Sequence, residues 1–260
     1  MTTTPTYRIY ALKIAGPLLR SRALVAWLRD WDVQVTANHY FWVVQGEDDV
    51  IVVDSGYTPE IAQQRNISTY VSPVDLLARI GIDAAAVPHV VLTHLHWDHA
   101  AGMSLFPNAR FYLQEAEYRF WIEDPKAQRP AFANPFTTDE SYRIALPKLK
   151  GTARLALLQG DREILPGVEC LLAAGHTPAL QAVAVNTEQG TAVVGSDCGH
   201  MFANYREDWP SCLIYDLGAW LDSFTRLRVT ASSLDLLFPG HDPLLTSGYP
   251  SVADGVTRLA

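Results

Sequence analysis

The chain has 260 residues, 48% hydrophobic and 18% charged, and its 20 Lys and Arg against 28 Asp and Glu leave a formal charge of −8. That composition excludes a disordered chain, and it lacks the basic footprint that phosphate-backbone binding requires, so no nucleic-acid partner is expected. The cysteines Cys170, Cys198 and Cys212 form no C-x-x-C pair, which argues against a disulfide framework and suits a reducing compartment. The N-terminal MTTTPTYRIYALKIAG has no basic and apolar leader pattern, and no run approaches the ~18 apolar residues of a membrane span. A cytoplasmic protein without membrane contact is the expectation.

In chain order, residues 7–15 alternate loosely and predict a strand, followed by a Leu- and Arg-rich segment through Asp30 that reads as helix or surface excursion. Residues 39–45 and 50–53 are β-branched and aromatic runs around a turn-prone GEDD, the pattern of a hairpin. A helix from Ser72 or Pro73 to Ile80 is stopped by Gly81, and 87–93 is a short buried strand. A helix over 98–106, a strand over 109–113 and a helix over 114–121 follow. Residues 123–150, with several prolines and aromatics, read as an insertion. Strands are expected at 153–158, 168–173, 180–186 and 191–195, a helix at 219–229 and a last strand at 234–238. With no repeat or composition shift, this order predicts one mixed α/β domain over 1–260, two packed sheets with helices outside.

The chemistry is concentrated in Thr93-His94-Leu95-His96-Trp97-Asp98-His99, where a strand runs into a helix. Spacing of i, i+2 sets His94 and His96 on one side of extended chain, while Asp98 and His99 face elsewhere as the chain turns. Such a cluster can hold two metals, unlike H-E-x-x-H, whose histidines one helical turn apart bind one zinc. Three more metal-capable residues follow apolar strand-like runs: His176 in GHTP, Asp197 in GSD and His241 in PGHD. Five histidines and two aspartates are a donor set for borderline divalent cations, with no thiolate needed.

With Asp54, then H-x-H-x-D-H, then a distant His, Asp and His, the chain resembles the metallo-β-lactamase superfamily from Asp54 to His241. Its NHYFWVVQGEDDVIVVDSGY, HLHWDHAAG and SD…PGHD are most similar to N-acyl-homoserine lactonases, the quorum-quenching group, and related lactone hydrolases. The resemblance implies an αββα sandwich with the site at one edge between the sheets. It implies that His94, His96 and His176 bind one metal, Asp98, His99 and His241 a second, that Asp197 bridges them, and that Asp54 sets the geometry of the histidine loop. It also implies two divalent ions, zinc foremost with Mn²⁺, Fe²⁺ or Co²⁺ as alternatives. The reaction expected is opening of a lactone or related ester by a metal-bridging hydroxide, with Asp98 or a metal-bound water protonating the leaving alkoxide. The partner is then a small-molecule substrate, and a homodimer stays open.

Two departures stand out. Lactonases of this group carry Tyr three residues after the bridging Asp, where this chain has His200, and their G-H-T-P-G-H is here GHTPAL. An imidazole at His200 can still donate to an oxyanion or leaving group, against the alternative of a surface turn residue. Thioester hydrolysis of the glyoxalase-II type and a non-hydrolytic iron site are the rival chemistries. Cys198 is expected to be a buried inert thiol, and His39 and His89 to be structural or surface residues. The aromatics Phe120, Trp121, Phe132, Phe136, Tyr205 and Trp209 are expected in the core or, from the insertion and the stretch after His200, in a substrate pocket.

Overall fold

The computed structural model describes residues 4–260, so Met1 to Thr3 of the N-terminal stretch lie outside the described residues. The chain forms β1 (Arg8–Ser21), β2 (Gln34–Gln45), β3 (Val50–Val53), β4 (His89–Val91), β5 (Arg110–Gln114) and β6 (Leu155–Leu158). It continues with β7 (Arg162–Leu165), β8 (Val168–Leu172), β9 (Gln181–Thr187), β10 (Gly190–Ser196) and β11 (Leu237–Pro239), and ends on β12 (Ser251–Ala253) and β13 (Val256–Arg258). One sheet has the order β12-β13-β1-β2-β3-β4-β5-β6 and the other β11-β10-β9-β8-β7. Among the described residues, no helix is long and apolar enough to cross a membrane.

The period-two alternation of the strands builds the layers. Tyr40, Trp42 and Val44 of β2, with Ile51 and Val53 of β3, point at the second sheet and meet Val183 and Val185 of β9. Phe41, Val43 and Val52 point the other way, into a core shared with Leu76, Leu77 and Phe106. Ala182 and Ala184 of β9 back onto Trp220, Phe224 and Leu227 of the helix Leu217–Thr230. The central strands of both sheets are thus covered on both faces, an αββα sandwich in which every large apolar side chain so buried contributes ~1.5–3 kcal/mol relative to exposure.

Several elements differ from expectation for local reasons. The first strand does not stop at Ala15: β1 passes Gly16-Pro17 with a register shift and pairs with β2 as far as Ser21 opposite Gln34. The helix expected over 98–106 is one turn, Trp97–Ala100, followed by a separate 3-10 turn at Met103–Leu105. Between them Gly102 is drawn against the loop after β3, its N–H bonding Gly56 O at 2.8 Å, and a Cβ there would lie 2.2 Å from Ser55 O. The insertion contains a helix, Glu140–Leu149, capped by Asp139, whose last-turn Pro147 masks it in the sequence. Residues 234–236 form a 3-10 turn ahead of β11.

Gly175 shows how tightly the frame holds the loop before His176. Its φ is +138°, and an added Cβ would lie 2.3–2.6 Å from the backbone N, Cα and Cβ of Trp220. Its carbonyl also accepts from Tyr215 N–H at 2.8 Å and Asp216 N–H at 2.9 Å, so the loop cannot shift without losing both bonds. Gly175→Ala is expected to destabilise by ~2 kcal/mol or more, a fall in Tm of roughly 5 °C by thermal melting; a Tm within about 1 °C of wild type would contradict this packing.

Candidate metal centre

Five strand ends converge on one edge. β3 leads into Asp54, β4 runs into Thr93–His99, β8 precedes His176, β10 delivers Asp197 and β11 delivers His241. Gln181, fully buried at the start of β9, holds the two sheets together here: its N–H donates to Thr93 O at 2.9 Å, and its Nε2 donates to Leu92 O at 2.8 Å and Tyr112 O at 3.1 Å.

All seven candidate ligands meet at this edge. His94, His96, His176 and Asp197 bring one donor atom each within 4.8 Å of one another, and so do His99, Asp197 and His241. Asp197 belongs to both groups. Its Oδ2 lies 3.8 Å from His94 Nε2 and 3.5 Å from His176 Nε2, its Oδ1 lies 3.4 Å from His99 Nε2, and His241 Nε2 stands nearly midway, 3.1 Å from Oδ1 and 3.2 Å from Oδ2. Asp98 Oδ2 lies 3.8 Å from both His99 Nε2 and His241 Nε2. A third group joins His39, Asp98 and His241.

Hydrogen bonds from behind aim these rings. Asp54 is fully buried at φ +65°, and its carboxylate accepts from Thr93 N–H at 2.7 Å, Thr93 Oγ1 at 2.9 Å, His99 Nδ1 at 2.7 Å and Ser196 Oγ at 3.2 Å. With no exposed surface of its own, it holds the histidine turn from behind. His241 Nδ1 donates to Asn38 O at 2.8 Å. With Nδ1 engaged, both His99 and His241 turn Nε2 toward Asp197, the outer hydrogen bonding that fixes the tautomer of a metal ligand.

The charges fit a cation. His94 Nε2, His99 Nε2 and Asp197 Oδ1 are buried without a hydrogen-bond partner, a desolvation cost of ~1–3 kcal/mol each that a bound divalent ion would remove. Burial, reinforced by neighbouring imidazoles, lowers the pKa of His94 and His96 well below the usual range. Burial acts the same way on His99 and His241, but Asp197 and the other nearby carboxylates outweigh it and raise both. Against its own burial, Asp98 is held down to about 2 by His99, His39 and His241. The carboxylates therefore draw positive charge into the site, and the imidazole and carboxylate donors suit first-row divalent ions.

The structure also shows residues that sequence reasoning passed over. Glu117, fully buried, accepts from Leu95 N–H at 3.1 Å and Trp121 Nε1 at 2.7 Å on one oxygen. On the other it accepts from Thr177 Oγ1 at 2.9 Å and Ala179 N–H at 3.0 Å. It ties the turn carrying His94 and His96 to the loop carrying His176, and burial pushes it up to about 7 against those four donors. His39 is neither a surface nor a remote core residue: its Nδ1 pairs with Tyr57 Oη at 3.0 Å and its Nε2 lies 3.6 Å from Asp98 Oδ2. His89 opens β4, at the end away from the cluster, with Tyr112 Oη 3.0 Å from its Nδ1. Cys198 is buried beside Tyr205 and Trp220, and burial pushes its thiol up.

Two cavities adjoin the cluster and share His96 and Leu213. The larger, about 150 Å³, reaches Asp98, Asp197, His200 and His241 between Leu24, Trp97 and Phe136. The smaller, about 60 Å³, is walled by Trp121, Phe132 and Tyr215. His200 is therefore not a surface turn residue: it lines the larger cavity, its Nε2 3.4 Å from Asp197 Oδ2 and its Nδ1 2.7 Å from Ser211 Oγ, and burial pushes it down to about 3. Phe120 packs against Trp121 and Phe132, Tyr205 is core, and Trp209 lies under Arg29, 3.9 Å from the guanidinium carbon.

An N-acyl homoserine lactonase of Bacillus cereus is 25% identical over 217 residues, covering 77% of this chain and 80% of that protein. The crystal structure of a quorum-quenching N-acyl homoserine lactone lactonase superposes with a TM-score of 0.75 at 22% identity, covering 97% of this chain and 98% of the other. AidC, a dizinc quorum-quenching lactonase, superposes with a TM-score of 0.66 at 17% identity over 93% and 92% of the two chains. Residues 36–241, which hold every strand end of the cluster, match the family model of the metallo-beta-lactamase superfamily, and the chain belongs to that superfamily.

Proposed function

We propose that this protein is a dinuclear metal-dependent hydrolase that opens a lactone or a related carboxylic ester. The observation that carries the reading is Asp197, whose carboxylate lies within 3.8 Å of imidazole nitrogens from both groups, His94 and His176 in one and His99 and His241 in the other. His94, His96 and His176 would hold one divalent ion and Asp98, His99 and His241 the other, with Asp197 shared. Zinc leads among the candidates, in line with the dizinc relative AidC. Because ligands come from both sheets, the site needs them as one domain. The sequence relatives, N-acyl homoserine lactonases, support lactone opening.

When bound, a metal pair supplies Lewis acidity toward a carbonyl oxygen and brings the pKa of a water toward neutrality. The nucleophile is water-derived, and no serine or cysteine of the chain is required. Asp98, whose Oδ2 faces the larger cavity between His39 and His241, carries the proton between that water and the leaving alkoxide. His200, kept neutral by burial, turns one ring nitrogen to Ser211 and the other to the cavity side of Asp197, where an N–H can meet the substrate oxyanion. The apolar walls exclude bulk water and strengthen that contact.

A panel of lactones, carboxylic esters, thioesters and amides assayed with metal-replete protein is expected to give its highest kcat/KM on a lactone or carboxylic ester. Turnover should vanish on chelation and return with zinc or manganese. Highest kcat/KM on a thioester, or turnover indifferent to chelation, would contradict the reading. His200→Ala is expected to keep its metal content while kcat falls ~10²–10³-fold, the usual cost of one oxyanion donor. Wild-type kcat in that variant would remove His200 from the chemistry.

A further inference from the structure

The larger cavity holds one group that the hydrolytic reading does not use. Arg20, on the arm where β1 runs past Pro17, lines the cavity together with Asp98, His200 and His241. Its recorded hydrogen bond is to Leu19 O at 3.0 Å, and no carboxylate lies within 4.0 Å of it among the described residues. Its neighbour Arg22 is paired with Asp30 at 3.3 Å, so among the described residues the arm has an acidic partner for one arginine and none within 4.0 Å for the other.

An unpaired guanidinium beside a metal pair is electrostatically unfavourable for the empty site, because it adds positive charge where positive charge is already gathered. The same field favours an anion in the cavity. A guanidinium fork matches a carboxylate bidentately, a pairing stronger than a neutral hydrogen bond, and the remaining walls, Leu24, Trp97 and Phe136, fit a compact apolar ring. At about 150 Å³ the cavity suits a small ring and leaves the 60 Å³ aromatic lobe for a short substituent.

We infer that Arg20 makes the cavity selective for compact lactones or esters that carry a carboxylate beyond the scissile bond. This inference rests on the hydrolase reading above and adds the charge of the substrate to it. The acyl-homoserine lactones named for the relatives carry no such group, so the two substrate classes are separable by experiment.

The probes are phthalide-5-carboxylate, its neutral carboxamide, and the ring-opened dicarboxylate of the first as a binding ligand. With wild type, KM for the carboxylate is expected to lie ~10-fold or more below that for the carboxamide, one charge-assisted contact being worth about that factor. In Arg20→Gln the ratio of the two KM values should collapse toward one, and Arg20→Lys should restore part of it. Calorimetric binding of the dicarboxylate should weaken in Arg20→Gln by a similar factor, a readout that survives even if neither lactone is turned over. Equal KM values for the two probes in wild type, or dicarboxylate affinity unchanged in Arg20→Gln, would overturn the inference. Failure of every lactone and ester, with carboxylate binding still dependent on Arg20, would overturn the hydrolase reading and leave the anion site standing.

Discussion

One carboxylate organises this protein. Asp197 sits between two groups of imidazoles, with His94 and His176 nearest one oxygen, His99 nearest the other and His241 almost midway, and much of the surrounding structure keeps it there. Ser196 adopts φ +46° to turn the chain out of β10, and Gly240 comes so close that a Cβ would lie 2.0 Å from Asp197 Oδ1. Parallel β10 and β11 place Asp197 and His241 side by side, with Gly240 N–H and His241 N–H bonding Gly199 O and His200 O at 2.9 Å each. Left to itself, a buried aspartate among histidines would take up protons through its neighbours, as the raised pKa values of His99 and His241 show. Divalent cations answer the same field without that competition.

Two further buried carboxylates hold the histidine turn from opposite sides. Asp54 engages Thr93 and His99, at the start and end of the turn, while Glu117 engages Leu95, between His94 and His96, and reaches across to the loop of His176. The strain of Asp54 at φ +65° is sustained because its four donors over-determine its position, the usual circumstance in which such backbone persists. The geometry of the cluster is thus set by residues buried behind it. The lining of the larger cavity comes from elsewhere: His200 from the turn after Asp197, Arg20 from the β1 arm and Phe136 from the insertion.

The clustering of these side chains was legible because each follows an apolar strand and because H-x-H-x-D-H packs four metal-capable donors into a single turn. The alternation of 39–45 and 50–53 gave the central hairpin for the same local reason. What the sequence hid is non-local. Glu117 stands in a helical run where a glutamate reads as solvent-facing, and its donors come from segments 22 to 62 residues away as well as from Trp121. His39 is one histidine on a strand until tertiary packing sets it against Tyr57 and Asp98. The extension of β1 was masked by Gly16-Pro17, which punctuates the sequence while the pairing resumes beyond it at Leu18 opposite Ala37. The terminal strands, three residues each, are too short to carry an alternation signal.

If two divalent ions share Asp197, elemental analysis of purified protein after equilibration with excess zinc counts them. Wild type should hold close to two equivalents per chain, whereas His176→Ala and His241→Ala, which belong to different imidazole groups around Asp197, should each fall toward one while circular dichroism stays unchanged. A wild type that saturates at one equivalent with either zinc or manganese, or variants that both keep two, would contradict the account.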